Sequence, residues 1–351
     1  MALLFTVGPV EMFESTLNIR GRQVPYFRTP EFSSVVKESE ALIKKFAGAP
    51  QDSRVALLTA SGTGAMEAAV INCFTPADKL LVISGGGFGS RFEDICRIHG
   101  IPYTPIHLEF GEELTVDSLT EYNGKGYTGL LVNAHETTTG QLYDLQMISR
   151  FSKKNNILLV VDAISSFLAD SIDVDKDSID VLIFSSQKAL ALAPGISGIV
   201  LSARMLNRIK NIDPHSLYFD LKLHLKDMER GQTPFTPAVG VILEMHGMLK
   251  EIDAIGIDKK IEHTAEIAKD FRERVSGIGI SVPAFRLSNC LTPILFKDGR
   301  ATEIYETLKK DGIVLTPGGG KMKDSLLRVG HIGNHTIEDN KLLIEKLKEV
   351  I

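Results

Sequence analysis

Six short apolar runs recur along the first part of the chain: "VALLTA" (55–60), "KLLVIS" (79–84), "GLLVNAH" (129–135), "ILLVVDA" (157–163), "VLIFSS" (181–186) and "GIVLS" (198–202). Helix-length amphipathic patterns follow several of them, such as "TGAMEAAVINCF", "SRFEDICRIHG" and "LQMISRFSKKNN". Runs of this length with no alternating polar face predict strands buried on both sides, and strand-then-helix order predicts a mainly parallel sheet with helices on each face. Beyond about residue 250 the pattern changes. A long amphipathic stretch, "DKKIEHTAEIAKDFRERVSGIG", leads to isolated strand-like runs ("CLTPILF", "DGIVLTP", "LLRVGHIGN") and a terminal helix, "TIEDNKLLIEKLKEVI". The reading is an N-terminal arm over 1–15, a large α/β domain over 16–250 and a smaller α+β domain over 251–351.

Ligands in parallel α/β sheets bind at the carboxyl ends of the strands. The residues just after each run are therefore the candidates: Ser61-Gly62-Thr63-Gly64, the glycine-rich 85–89 loop with Phe88, the "HETTTG" segment with Thr137, Asp162, and Ser185-Ser186-Gln187-Lys188. These small, polar or ionisable positions would converge on one edge.

Composition narrows the function class. The 351 residues carry a formal net charge of −5 with Lys and Arg scattered, so no basic stripe points to nucleic acid or an anionic membrane. Three dispersed cysteines give neither a disulfide framework nor a metal cluster, and His331 and His335 lack further ligands at metal spacing. No metal is expected. The N-terminus lacks a basic leader and no apolar run is long enough to span a bilayer, which together predict a cytoplasmic small-molecule enzyme.

"TASGTGAMEAA" sets small residues and hydroxyls between a strand and a helix, where free N–H groups and the helix dipole face an anion such as phosphate. Glycine serves a ligand-free tight turn equally well. The segment matches neither GxxxxGK[ST] nor GxGxxG, and "GGGFGSR" has the wrong glycine spacing for a dinucleotide loop. Asp162 ends a buried strand, where a carboxylate needs a cation or N–H partner. Lys188 is the one charged residue in "IDVLIFSSQKALALAPGISGIVLS" after its leading aspartate. An amine held in an apolar pocket is biased to its neutral, nucleophilic form and suits Schiff-base formation, whereas a lysine snorkelling past a strand end is the plain alternative. Phosphate cup, buried aspartate and buried lysine together are what pyridoxal 5′-phosphate requires.

These segments resemble, in order and over nearly the whole length, the class V aminotransferases of fold-type I pyridoxal-phosphate enzymes: "ASGTGAMEAA" the phosphate turn, "HETTTG" a cofactor-contacting loop, "VVDAISS" the aspartate strand, "SSQKAL" the Schiff-base lysine and "LLRVGHIG" the C-terminal arginine strand. The resemblance implies a homodimer with active sites at the interface. Ser61, Gly62 and Thr63 would bind phosphate. Phe88 and Ile164 would cover the two ring faces. Thr137 would approach the ring hydroxyl, Asp162 the ring nitrogen, and Gln187 the cofactor beside Lys188. Thr236 and Thr233, in "GQTPFTPA", would reach the partner's phosphate. Arg328 would clamp the substrate carboxylate with its two-pronged donor set, with Gly8 and Arg28 as further substrate contacts.

The implied reaction is ping-pong transamination with Lys188 as proton shuttle. Cysteine desulfurases, similar in fold, carry a histidine before the lysine and a reactive cysteine before the arginine; here Gln187 precedes Lys188 and "TPGGGKMKDSLLR" holds no cysteine. "PYFRTPEF" resembles a segment of the alanine–glyoxylate and serine–pyruvate group, with Phe27 where that group has histidine. An alanine- or serine-type donor with glyoxylate or pyruvate as acceptor is the expectation, 2-aminoethylphosphonate–pyruvate aminotransferase the alternative. A pyridoxal-phosphate-binding regulatory protein without turnover remains a different class of answer.

Overall fold

All six apolar runs form strands, Arg54–Leu58, Leu80–Ser84, Gly129–Asn133, Leu158–Asp162, Val181–Ser185 and Ser197–Leu201, in a computed structural model that describes residues 2–351. With Tyr103–His107 they build a seven-stranded sheet in the order Arg54–Leu58, Ser197–Leu201, Val181–Ser185, Leu158–Asp162, Gly129–Asn133, Leu80–Ser84, Tyr103–His107. Ser197–Leu201 runs antiparallel to both neighbours, and the remaining pairings are parallel. Two reversals leave Arg54–Leu58 pointing the same way as Val181–Ser185. Six strands therefore end on one edge, as the sequence pattern requires. The seventh, Ser197–Leu201, ends on the opposite edge. Tyr103–His107 is one of the six but gave no apolar run in the sequence, because it is an edge strand carrying Pro105 and an exposed His107.

Successive residues of one strand enter opposite cores. Leu57, Leu81, Leu130, Val161 and Leu182 belong to one apolar cluster, while Leu58, Val82, Leu131, Val160 and Ile183 belong to another. Helix Gly62–Cys73 packs Ala65, Met66 and Ala69 into the second cluster. Helices Pro30–Phe46, Leu145–Lys154 and Val239–Ile255 cover the first. Each fully buried aliphatic side chain contributes about 1.5–3 kcal/mol of transfer free energy. The sheet is thus held rigid from both sides, and its carboxyl edge is a fixed platform.

A third cluster joins Phe271, Val275, Ile294, Leu308, Leu327, Val329, Leu343 and Leu347. Here helices Ile257–Gly277, Ala301–Lys310 and Ile337–Val350 pack on a three-stranded antiparallel sheet ordered Leu291–Leu295, Leu326–Gly330, Thr316–Pro317. The chain's first residues join this cluster. Leu3–Leu4 pairs in parallel with Ile313–Val314, Phe5 is fully buried, and Gly330 N donates to the Phe5 oxygen at 2.8 Å. Residue 250, where the sequence pattern suggests a boundary, lies inside helix Val239–Ile255; that helix ends only at Gly256, whose φ of 92° suits glycine. No helix among the described residues is long and apolar enough to cross a membrane.

Candidate active site

Ser61 caps helix Gly62–Cys73, its Oγ accepting from Gly64 N at 3.3 Å. A Cβ on Gly62 would stand 2.5 Å from Ile164 Cδ1, so glycine lets the turn close against the residue two positions past Asp162. Thr63 Oγ1 accepts from a terminal nitrogen of Arg91 at 2.9 Å, and the Arg91 guanidinium lies 4.7 Å from the centre of the Phe88 ring. The turn, the Phe88 loop and the stretch after Asp162 are thus contiguous.

Asp162 is buried, yet no cation forms an ion pair with it among the described residues. Its carboxylate accepts from Ile164 N and from Asn133 Nδ2, both at 2.8 Å. Burial pushes its carboxyl up to about 6, against the lowering effect of those two donors and of the Lys188 charge.

Lys188 is 8% exposed. Its Nζ donates to the Val7 oxygen at 2.6 Å, and burial lowers its pKa below the ordinary lysine range. A Cβ on Gly8 would lie 2.6 Å from Lys188 Cδ, and Gly8 adopts a φ of 123°, so the N-terminal segment crosses the lysine at a distance only glycine permits. Gln187 Oε1 accepts from Ser185 Oγ at 2.6 Å. Ser185 Oγ lies 3.2 Å from Ser197 Oγ, which donates to the Ala60 oxygen beside the turn.

Thr137 Oγ1 lies 3.3 Å from Ser165 Oγ, and the Thr137 oxygen accepts from Arg328 at 3.1 Å. Arg328 sits on Leu326–Gly330 and also donates to the Pro317 oxygen at 2.7 Å, but its buried Nε has no partner. Glu136, fully buried, accepts from Gly89 N at 3.1 Å and Thr138 N at 2.9 Å, tying the Phe88 loop to the Thr137 turn. His135, also buried, has both ring nitrogens unpartnered, and burial holds it neutral with a pKa of about 3. Two buried ionisable groups of opposite type and a hydroxyl-rich turn lie at one sheet edge, and the Arg328 guanidinium reaches the neighbouring Thr137 turn from the three-stranded sheet. Such a set has the chemistry to hold an anionic, carboxylate-bearing ligand beside an amine able to act as nucleophile or base.

The sequence profile of the family described as Aminotransferase class-V matches residues 18–330. The chain belongs to the class V aminotransferase family. Curated relatives of this class V aminotransferase include the L-aspartate–glyoxylate aminotransferase of Paracoccus denitrificans (strain Pd 1222), 26% identical over 95% of this chain and 87% of that one. They also include a protein named soluble hydrogenase, small subunit, from Synechococcus sp. (strain PCC 6716), 29% identical over 95% and 88%. Among solved structures, the subgroup IV aspartate aminotransferase of Thermus thermophilus superposes with a TM-score of 0.92 at 27% identity, covering 99% of each chain.

Three of the expected positions stand apart in this class V aminotransferase. Arg28 donates to Gln232 Oε1 at 3.4 Å and to the Pro234 oxygen at 3.3 Å, and Thr233 Oγ1 donates to the Phe235 oxygen at 2.7 Å. Thr236 belongs to the same segment. No hydrogen bond or ion pair links these three to Lys188, Asp162 or Arg328 among the described residues. Conversely, Val7, Arg91 and Asn133 touch the site and were not among the expected residues, and Glu136 of the expected "HETTTG" segment joins them. Of the unexpected residues, Asn133 alone carried a readable signal, since it ends an apolar run as Asp162 does.

Proposed function

We propose that this class V aminotransferase binds pyridoxal 5′-phosphate at Lys188 and transfers an amino group from a small amino acid, of alanine or serine type, to a 2-oxo acid such as glyoxylate or pyruvate. The observation that carries the reading is Lys188: a buried amine without a carboxylate partner, at the same sheet edge as the buried Asp162. Two further observations fit the residues to the cofactor. Glycines at 62 and 8 keep side chains out of the places where Ile164 and Lys188 crowd the backbone, and the buried Arg328 Nε lacks a partner. When bound, pyridoxal 5′-phosphate supplies an aldehyde for amines and a pyridine ring that withdraws electrons from the reacting carbon.

The chain's own residues supply the rest. Ser61, Gly62 and Thr63 would take the phosphate at the start of helix Gly62–Cys73. Asp162 would hold the proton at the ring nitrogen, steadied by Asn133 and the Ile164 N–H. Phe88 and Ile164 would confine the ring faces, with Thr137 and Gln187 at its edges. Arg328, already aimed by the Thr137 and Pro317 oxygens, would bind the substrate carboxylate. Lys188, biased toward the neutral amine, would take the substrate Cα proton and give it back one half-reaction at a time. Gly8 keeps the lysine covered by backbone alone.

Arg28, Thr233 and Thr236 form their own group in one chain, which supports reading them as contributions to the site of a second copy in a homodimer. The three dispersed cysteines, with no disulfide framework, support a cytoplasmic enzyme. The test is the absorbance of the protein reconstituted with pyridoxal 5′-phosphate, followed while alanine, serine, aspartate, glutamate and 2-aminoethylphosphonate are added one at a time. An α-amino acid should bleach the cofactor band, and glyoxylate or pyruvate should restore it. Response to 2-aminoethylphosphonate alone would move the donor class. Failure to take up the cofactor would overturn the reading.

A further inference from the structure

Arg91 stands near the start of helix Gly89–Ile98, half-buried, and no ion pair involves it among the described residues. Its terminal nitrogen donates to Thr63 Oγ1 at 2.9 Å. Within the 59–64 turn the other side-chain contacts come from Ser197, Tyr218 and the Ala238 N–H, so Arg91 is the cation hydrogen-bonded there among the described residues. A guanidinium has no acceptor. Thr63 must therefore receive this bond, and its own hydroxyl proton is turned away from Arg91. A half-buried guanidinium with donors to spare and no ion-pair partner among the described residues is placed to face an anion.

We propose that Arg91 is a positioning residue for the cofactor phosphate: it fixes Thr63 as an outward-facing hydroxyl donor in the Ser61–Gly62–Thr63 turn and supplies the positive charge that a phosphate dianion calls for. The assignment rests on the pyridoxal-phosphate reading above. The unfilled N–H groups at the start of helix Gly62–Cys73 add to the same side. After burial and the charge of Arg328, that of Arg91 is also among the influences that disfavour protonated Lys188, which places the guanidinium within electrostatic reach of the amine. The competing role is packing, since the guanidinium also covers the Phe88 ring at 4.7 Å.

The two roles separate when the phosphate is removed from the ligand. Dissociation constants for pyridoxal 5′-phosphate and for pyridoxal are measured by equilibrium dialysis on the wild-type protein, Arg91→Gln and Arg91→Lys, with circular dichroism as the fold check. Arg91→Gln should weaken pyridoxal 5′-phosphate by about tenfold or more while pyridoxal changes by less than about twofold. Arg91→Lys keeps the charge and bulk and should fall between. It carries the test if Arg91→Gln does not fold. In a cycle with Thr63→Val, the double variant should lose less than the sum of the two single losses, because part of the Arg91 effect acts through the Thr63 hydroxyl. Unchanged pyridoxal 5′-phosphate binding, or an equal loss for pyridoxal, overturns the assignment and leaves Arg91 as packing for Phe88. A wild-type protein that binds pyridoxal but gains nothing from the phosphate overturns it too, while one that binds neither overturns the cofactor reading with it.

Discussion

Lys188 Nζ donates to the Val7 backbone oxygen at 2.6 Å, across 181 positions of sequence. The segment that makes this contact is anchored from the far side: Phe5 is buried in the C-terminal cluster, and Val7 N donates to Thr316 Oγ1 at 3.1 Å. The first residues therefore bridge the C-terminal sheet and the amine. A carbonyl oxygen satisfies the amine whether it is neutral or protonated, so this contact leaves the proton free to come and go.

Removing the amine removes the proposed proton shuttle. Lys188→Ala should lower kcat by about 10⁴-fold, the upper range for a positioned acid–base group. Steady-state assays with the donor found in the absorbance test check this, and wild-type turnover in the variant would contradict it.

The close crossing at Gly8 gives a second prediction. Gly8→Ala puts a Cβ 2.6 Å from Lys188 Cδ at a φ that L side chains rarely adopt. The expected cost is about 1–3 kcal/mol of stability and a kcat at least about tenfold lower, since the lysine must move. Thermal unfolding and kcat measured on one preparation separate the two effects.

Asp162 predicts a pH signature in the cofactor-free chain. Burial raises its carboxyl from the ordinary 3.8 to about 6. Between those values the folded chain keeps a proton that the unfolded chain has released, so stability falls as pH rises through this window, by about 2–3 kcal/mol in all, and stays lower above it. Asp162→Asn cannot titrate. Its stability relative to wild type should therefore rise from pH 4 to pH 6 in urea unfolding curves, while kcat of the loaded enzyme falls by about 10³-fold. A pH-independent difference would contradict the assignment.

Arg328→Lys tests the carboxylate clamp. A point charge cannot keep the bonds to the Thr137 and Pro317 oxygens and also present a two-pronged donor. KM for α-amino acids should rise by about 10²-fold with a smaller change in kcat. An unchanged KM would remove Arg328 from substrate binding.

Asp162 and Lys188 were legible because each breaks or ends an apolar run at the sheet edge where ligands bind. Arg328 was legible only through its resemblance to a family motif. Val7 and Arg91 act through contacts 181 and 28 positions away, and no fixed local spacing announces them, whereas Asn133 ends an apolar run and Glu136 lies in "HETTTG". The core strands announced themselves because both faces are buried, whereas Tyr103–His107 did not. Near residue 250 the chain is continuous helix: Val239–Ile255 buries Ile242, Met245 and Leu249 in the large cluster, so hydrophobic content gives no break before Gly256.

The most direct test of the account is borohydride reduction of the pyridoxal 5′-phosphate-loaded protein, followed by peptide mass mapping. The account predicts one pyridoxyl-modified residue, Lys188, and no modification after Lys188→Ala. Modification at another lysine, or none in a protein that has taken up the cofactor, would contradict it.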